Sequence, residues 1–250
     1  MDKEVIIDFL NMKNLKIIQR NDHFNFSLDS VLVANFATIN RNIKNIIDLG
    51  TGNAAIPLIL SRRSTANITG IEIQKSSYFL AKKNIKLNNL DNRINVINND
   101  IKNIKNLYRL GSFDLVISNP PFYLEKEIQE TNNKKNEFLL TARHELLITL
   151  EDIINNGSYL LREKGYFTLV HRVERLEEIF YYFKKYNIAV KRIQFIYSNL
   201  NKRSKIVLIE GVKNGKQGVI ILPPFVTHDE NNNYSINLLE IFSCNKTEPI

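Results

Sequence analysis

Cysteine is nearly absent from the 250 residues: Cys244 stands alone, so no internal disulfide framework and no multi-cysteine zinc site can form. Glycine (9) and proline (6) are scarce, which removes collagen-like chains from consideration. No run approaches the ~18 apolar residues of a membrane span. The start, MDKEVIIDFLNMK, mixes acids with its apolar residues where a secretory signal would have a cationic start and an unbroken apolar stretch. A cytoplasmic protein without membrane attachment is expected. His23, His171 and His228 show no ligand spacing, so no metal is expected either. What is present, 44% hydrophobic and 24% charged residues, describes an ordinary globular chain.

Lysine and arginine (34) outnumber aspartate and glutamate (26), giving a net charge of +8. A basic chain fits a polyanionic partner, nucleic acid before membrane because no amphipathic anchor is seen. Asparagine is also abundant, 34 of 250, so compositional bias competes with that reading and charge alone assigns nothing.

Between residues 46 and 172 short apolar runs alternate with longer amphipathic ones. Ile46 to Leu49, Ile68 to Ile73, Ile94 to Ile97, Phe113 to Ser118 and Tyr166 to Val170 read as buried parallel strands. Ala54 to Arg63, Ser76 to Asn88, Thr149 to Leu161 and Val173 to Tyr186 read as helices, the last with Leu176, Ile179, Phe180 and Phe183 at helical spacing. This alternation predicts an α/β fold with a mostly parallel sheet. Val190 to Tyr197 and Ile206 to Val212 are joined by a link too short for a crossover helix, which predicts a closing antiparallel hairpin. Ahead of the sheet, Leu28 to Phe36 is expected to be helical with Ser27 as N-cap. Residues 1–45 are taken as an extension packed on a domain of residues 46–250, whose end holds an Asn-rich turn and a strand-like run.

Two places carry chemistry. The strand Ile46-Ile47-Asp48-Leu49 runs into Gly50-Thr51-Gly52-Asn53, and Glu72 closes the next strand. Glycines let a backbone approach a ligand closely, and a carboxylate at the second strand end can accept both ribose hydroxyls. Glycine spacing alone also admits a dinucleotide. Asp48 separates the two: a negative charge beside the turn repels a pyrophosphate but suits the cationic methionine moiety of S-adenosylmethionine. Asp100, after the third strand, can accept from an adenine amino group. Thr51, Asn53, Ile73 and Ile101 join this set of expected cofactor neighbours by position.

The second place is Asn119-Pro120-Pro121-Phe122, directly after the fourth strand. An exocyclic amine is a poor nucleophile because its lone pair is delocalised. If the Asn119 side-chain oxygen and the Pro120 carbonyl both accept from it, the nitrogen is drawn towards sp³ and can attack a methyl. The prolines hold those acceptors rigid, and Phe122 offers a face for a stacked base.

Together these motifs resemble the class I S-adenosylmethionine-dependent methyltransferases that act on amino nitrogens. Ile17-Ile18-Gln19, Phe24 to Leu28, Asp29-Ser-Val-Leu, Thr141-Ala142-Arg143-His144-Glu145, His171-Arg172-Val-Glu174-Arg175 and the hairpin around Lys202 are similar to the bacterial tRNA1(Val) adenine-37 N6-methyltransferase family. The resemblance implies a Rossmann-like seven-stranded sheet with helices on both faces, S-adenosylmethionine as donor and adenine N6 of a tRNA anticodon loop as acceptor. It maps cofactor contacts onto Asp48, Gly50, Gly52, Glu72, Asp100 and Asn119. Ala54 departs from a glycine common at that place and is expected to tighten the loop. The same motif occurs in enzymes acting on DNA adenine, rRNA guanine and a release-factor glutamine, so it specifies the reaction better than the substrate. A catalytically silent RNA-binding scaffold would keep the basic hairpin but lose Asp48 or Asn119, and both are present. Arg143, His144, Lys202, Arg203 and Lys205, with Lys191 and Arg192 nearby, are the expected RNA contacts. Sequence is silent on oligomeric state.

Overall fold

A computed structural model describes residues 4–9, 15–20, 27–121 and 148–243. The strands are β1 (Glu4–Asp8), β2 (Lys16–Arg20), β3 (Asn45–Leu49), β4 (Asn67–Glu72), β5 (Ile94–Asn98), β6 (Phe113–Ser118), β7 (Leu161–Arg172), β8 (Ile188–Tyr197), β9 (Ile206–Lys213), β10 (Ile220–Ile221) and β11 (Phe225–Val226). The helices are α1 (Leu28–Phe36), α2 (Ala55–Arg63), α3 (Lys75–Leu87), α4 (Ile104–Leu107), α5 (Leu150–Leu160), α6 (Leu176–Lys185) and α7 (Ile236–Ser243).

The main sheet runs β10-β8-β9-β7-β6-β3-β4-β5, with β11 also on β8. Strands β3 to β7 are parallel to their neighbours within that set, and β9 pairs antiparallel with both β7 and β8. The seven expected strands are there with their closing hairpin; β10 and β11 are two-residue additions along β8.

Period-two alternation sorts each central strand between two cores. Ile46, Leu115, Ile117 and Leu208 face one core with residues of α1, α2 and α3, whereas Ile47, Val116 and Ile209 face the other with α5 and α6. Helices therefore cover both faces of the mostly parallel sheet, the Rossmann-like arrangement that the resemblance implies.

Three readings needed correction. Strand β7 begins at Leu161 rather than Tyr166, because buried Leu161 pairs with Phe113 and the register shift after Phe113 absorbs the charged Arg-Glu-Lys stretch. The run after the Asn-rich turn is helix α7, not a strand: Leu238, Ile241 and Phe242 recur at three and four and bury one face. Arg192 is not a free cation of the basic hairpin. Its guanidinium donates to the Glu210 carboxylate at 2.8 and 3.0 Å, to the Phe36 carbonyl at 2.7 Å and to Thr38 at 3.0 Å. Lys191 likewise donates to the Lys216 carbonyl.

Glu210 is the hub of that network. It also accepts from the Thr38 N–H at 2.7 Å, the Thr38 hydroxyl at 2.6 Å and the Thr168 hydroxyl at 2.9 Å, and so ties the end of α1 to the hairpin. Glu210→Ala should cost about 2 kcal/mol, since several donors lose a charged acceptor together. Urea denaturation would show it, and an unchanged midpoint would reduce the network to decoration.

The β1–β2 hairpin forms a separate sheet. It hangs on α3 through two asparagines that imitate a strand edge: Asn84 Oδ1 accepts from Ile18 N–H at 2.6 Å, and Asn88 exchanges both hydrogen bonds with Lys16 at 2.8 and 2.9 Å. Periodicity gives no warning of this, because the pairing is made by side chains of a helix.

Candidate active site

Strand β3 lies between β4 and β6, and from it the chain order departs in both directions. Open α/β sheets bind ligands in the crevice at the carboxyl ends of such strands. Asp48, Glu72, Asp100 and Asn119 all stand there, at or just beyond the ends of β3, β4, β5 and β6.

The turn after β3 is built from left-handed residues. Gly50 has φ +81° and Gly52 φ +57°, and the N–H groups of Gly50 and Thr51 both donate to the Ile71 carbonyl at 3.0 and 2.9 Å. The Thr51 side chain folds over Gly70, where an added Cβ would meet it at 2.7 Å. Ala54 is also left-handed, φ 69°, where a Cβ is disfavoured; the departure from glycine is carried as local backbone strain in a fully buried residue.

Asp48 is fully buried, and neither of its carboxylate oxygens has a hydrogen-bond partner among the described residues. Thr51 Oγ1 and Asn53 Nδ2 are buried and unpartnered in the same sense. Burial pushes the Asp48 carboxyl up to about 7, with the adjacent Thr51 side chain opposing the rise and the Glu72 charge adding to it. A buried carboxylate without a donor is costly unless a cation meets it. These orphaned groups around a glycine turn, acceptors at Asp48 and a donor at Asn53, fit a cofactor that brings positive charge together with hydrogen-bond donors and acceptors, as S-adenosylmethionine does.

Glu72 is 7% exposed and held by backbone: Oε2 accepts from Gly52 N–H at 2.8 Å and Oε1 from Gln74 N–H at 2.7 Å. Those two backbone bonds fix the orientation of the carboxylate at the end of β4. Ile73 beside it is 40% exposed, an apolar surface at the mouth of the crevice. Asp100 caps the single 3₁₀ turn Ile101–Asn103 through Oδ1, which accepts from Lys102 N–H at 2.8 Å. Ile101 points into the core that contains Ile47 and Val116.

At the end of β6, the Ser118 hydroxyl donates to the Leu49 carbonyl at 2.7 Å and fastens this strand end to the glycine turn. Asn119 Nδ2 donates to Ser30 Oγ at 2.9 Å and Ser27 Oγ at 3.1 Å. Pro120 is buried and Pro121 exposed. Phe122, Arg143 and His144 lie outside the described residues, as does Cys244.

Lys202, Arg203 and Lys205 are exposed in the turn between β8 and β9. The start of β9 pairs with the end of β7, Ile206 with Arg172, and β7 runs parallel to β6. The basic turn therefore lies beyond the same end of the sheet as Asn119, two to three strands across from it.

Four supports of this site carry no direct signal of that role in the sequence. Ser27 reads only as a cap, Ser30 only as part of Asp29-Ser-Val-Leu, and Ser118 only as a strand end. Asn84, fully buried in α3, donates to the Asn53 carbonyl at 3.0 Å and so connects the glycine turn to Ile18 of β2. A polar residue on the buried face of an amphipathic helix was the available signal.

Comparison with known proteins agrees with the geometry. A relative from Parabacteroides distasonis, named tRNA1(Val) (adenine(37)-N6)-methyltransferase, is 31% identical over 157 residues, which cover 60% of this chain and 61% of that one. One of the same name from Porphyromonas gingivalis is 27% identical over 209 residues, 81% of this chain and 80% of the relative. A release factor glutamine methyltransferase from Buchnera aphidicola is 35% identical over 162 residues, 60% of this chain and 54% of its own. The chain thus spans less than two thirds of the first and third of these. A crystal structure from Agrobacterium tumefaciens, described as a predicted O-methyltransferase, superimposes with a TM-score of 0.69 at 19% identity over 86% of this chain and 95% of that one, which establishes the fold. The model of the methyltransferase small domain matches residues 27–199, and with the strand order and the glycine turn in place, the chain belongs to that family.

Proposed function

We propose that this protein transfers the methyl group of S-adenosylmethionine to the exocyclic N6 amine of an adenine in tRNA, in the anticodon loop at position 37 of a valine tRNA. The observation that carries the reading is Asn119-Pro120-Pro121 at the end of β6, next to a fully buried Asp48 that lacks a donor among the described residues. The relatives' names support the substrate, and the one from Porphyromonas gingivalis aligns over 80% of its own length.

The cofactor supplies an electrophilic methyl on a sulfonium. Asp48 would hold the positive methionine end, Gly50 to Asn53 would line it, Glu72 would hold the ribose, and Asp100 and Ile73 would hold the adenine. Asn119 Oδ1 and the Pro120 carbonyl draw the two amine hydrogens, aiming the nitrogen lone pair for in-line attack. The proton departs after transfer, so no strong base is needed. Phe122 is assigned to base stacking. Arg143, His144, Lys202, Arg203 and Lys205 are assigned to RNA phosphates, and residues 1–45 to an extension that helps shape the site.

Incubation with labelled S-adenosylmethionine and total tRNA, alongside duplex DNA, rRNA and release factor, should give N6-methyladenosine in tRNA after nucleoside digestion. Label in release factor instead would favour the second reading, glutamine methylation, which the Buchnera relative supports. Lys202→Ala with Arg203→Ala should weaken RNA binding and shallow its salt slope by roughly 2, one per lost phosphate contact. Filter binding from low to moderate salt reads this, and an unchanged slope would leave the turn as plain surface.

A further inference from the structure

A primary amide carries one acceptor and two donors, and rotation about its last torsion is soft. Asn119 by itself is therefore ambiguous: it can present its oxygen or its N–H groups to whatever enters the crevice. In the structure its nitrogen faces the start of α1. Nδ2 donates to Ser30 Oγ at 2.9 Å and to Ser27 Oγ at 3.1 Å, so both amide hydrogens have acceptors on α1. Ser27 Oγ also accepts the Ser30 N–H at 3.3 Å as the N-cap of α1, which commits a further lone pair, and Ser30 Oγ lies 3.4 Å from it.

We propose that Ser27 and Ser30 are positioning residues that hold the Asn119 amide with its oxygen towards the substrate. The inference rests on the function proposed above and extends it to two residues of the helix that precedes the sheet. The reverse placement would present amide N–H groups to an amine, donor against donor.

The support is rigid. Ser30 is buried in the first turn of α1, and Ser27 is the N-cap of the same helix. That helix is clamped at its other end by Arg63, which donates to the Ala34 and Ala37 carbonyls, and by Glu210 through Thr38. Its inward face, Val31, Val33 and Ala34, is fully buried. A side chain tied to such an element keeps its torsion at little further entropic cost when substrate arrives.

The test separates positioning from capping. Ser27→Gly removes the hydroxyl yet retains most N-cap preference, Ser30→Ala removes the second acceptor, and Ser27→Thr restores both hydroxyl and cap. Each variant is assayed as the full chain for kcat and KM with tRNA and for S-adenosylmethionine affinity by calorimetry. The expected result is a kcat about tenfold lower for each loss and about 100-fold lower for the two together, with KM and cofactor Kd within threefold and Ser27→Thr within threefold of wild type. A double variant with kcat within twofold of wild type overturns the proposal. So does a kcat loss matched by an equal loss of cofactor affinity, which would mark a general disturbance of the site. A wild-type protein that methylates none of the offered acceptors would instead be the failure of the underlying functional reading, seen before any variant is made.

Discussion

Asn119→Ala lowers kcat by about 10²- to 10³-fold while S-adenosylmethionine affinity stays within a few fold. The size follows from what is lost: an oriented acceptor for the developing charge on the amine, an interaction that counts in the transition state more than in the ground state. Cofactor affinity is largely spared because its other contacts come from Asp48, the glycine turn and Glu72, on β3 and β4. The fold is spared as well, since Asn119 lies past the last paired residue of β6, Ser118, and its bonds run to two serines that water can satisfy. Single-turnover transfer with labelled donor and calorimetry on the same preparation make the comparison. Unchanged turnover would remove the Asn-Pro-Pro chemistry from the account.

Asp48 gives the second large effect, and its sign can be worked out. The folded carboxyl titrates near 7 against an ordinary 3.8, so between about pH 4 and 7 the folded protein holds a proton that the unfolded chain has released. Stability of the unliganded protein therefore falls as pH rises through that window and is level above it. Cofactor binding runs the other way. A cationic ligand needs the carboxylate, so affinity should rise about tenfold between pH 6 and pH 8, with one proton released on binding. Asp48→Asn should flatten that profile and weaken binding at pH 8 by about 100-fold, while leaving the unliganded protein no less stable at that pH, because a buried charge is gone. Calorimetry in buffers of different ionisation enthalpy would read the affinity and the proton together. A pH-independent affinity in the wild-type protein would mean that the ligand does not meet Asp48 as a cation.

Much of this architecture is legible along the chain because the information is local. Runs such as Ile46 to Leu49 and Phe113 to Ser118 bury side chains on both faces and read as parallel strands; the spacing in Leu176 to Phe183 reads as a helix; Ser27 reads as a cap and is one, accepting from Ser30 N–H. Asp48, Gly50, Gly52 and Asn119 could be found because strand-end positions in a wound sheet converge whatever the rest of the sequence does. Where local pattern and tertiary context disagreed, context prevailed. The tail run packs as α7 because apolar partners lay on one side only, and Arg192, a cation on a basic hairpin by composition, is bound to Glu210.

Sequence by itself determined the order of the main strands and helices from β3 to β9, the glycine turn and the placing of four polar residues at the strand ends, because backbone torsion preference and apolar periodicity are properties of neighbours in the chain. Only the tertiary structure decided that Asp48 has no donor among the described residues, that Asn84 joins the glycine turn to the β1–β2 hairpin, and that Ser27 and Ser30 hold the Asn119 amide. Those facts join residues as many as 92 positions apart, and side-chain hydrogen bonds of that reach leave no periodic trace in a sequence.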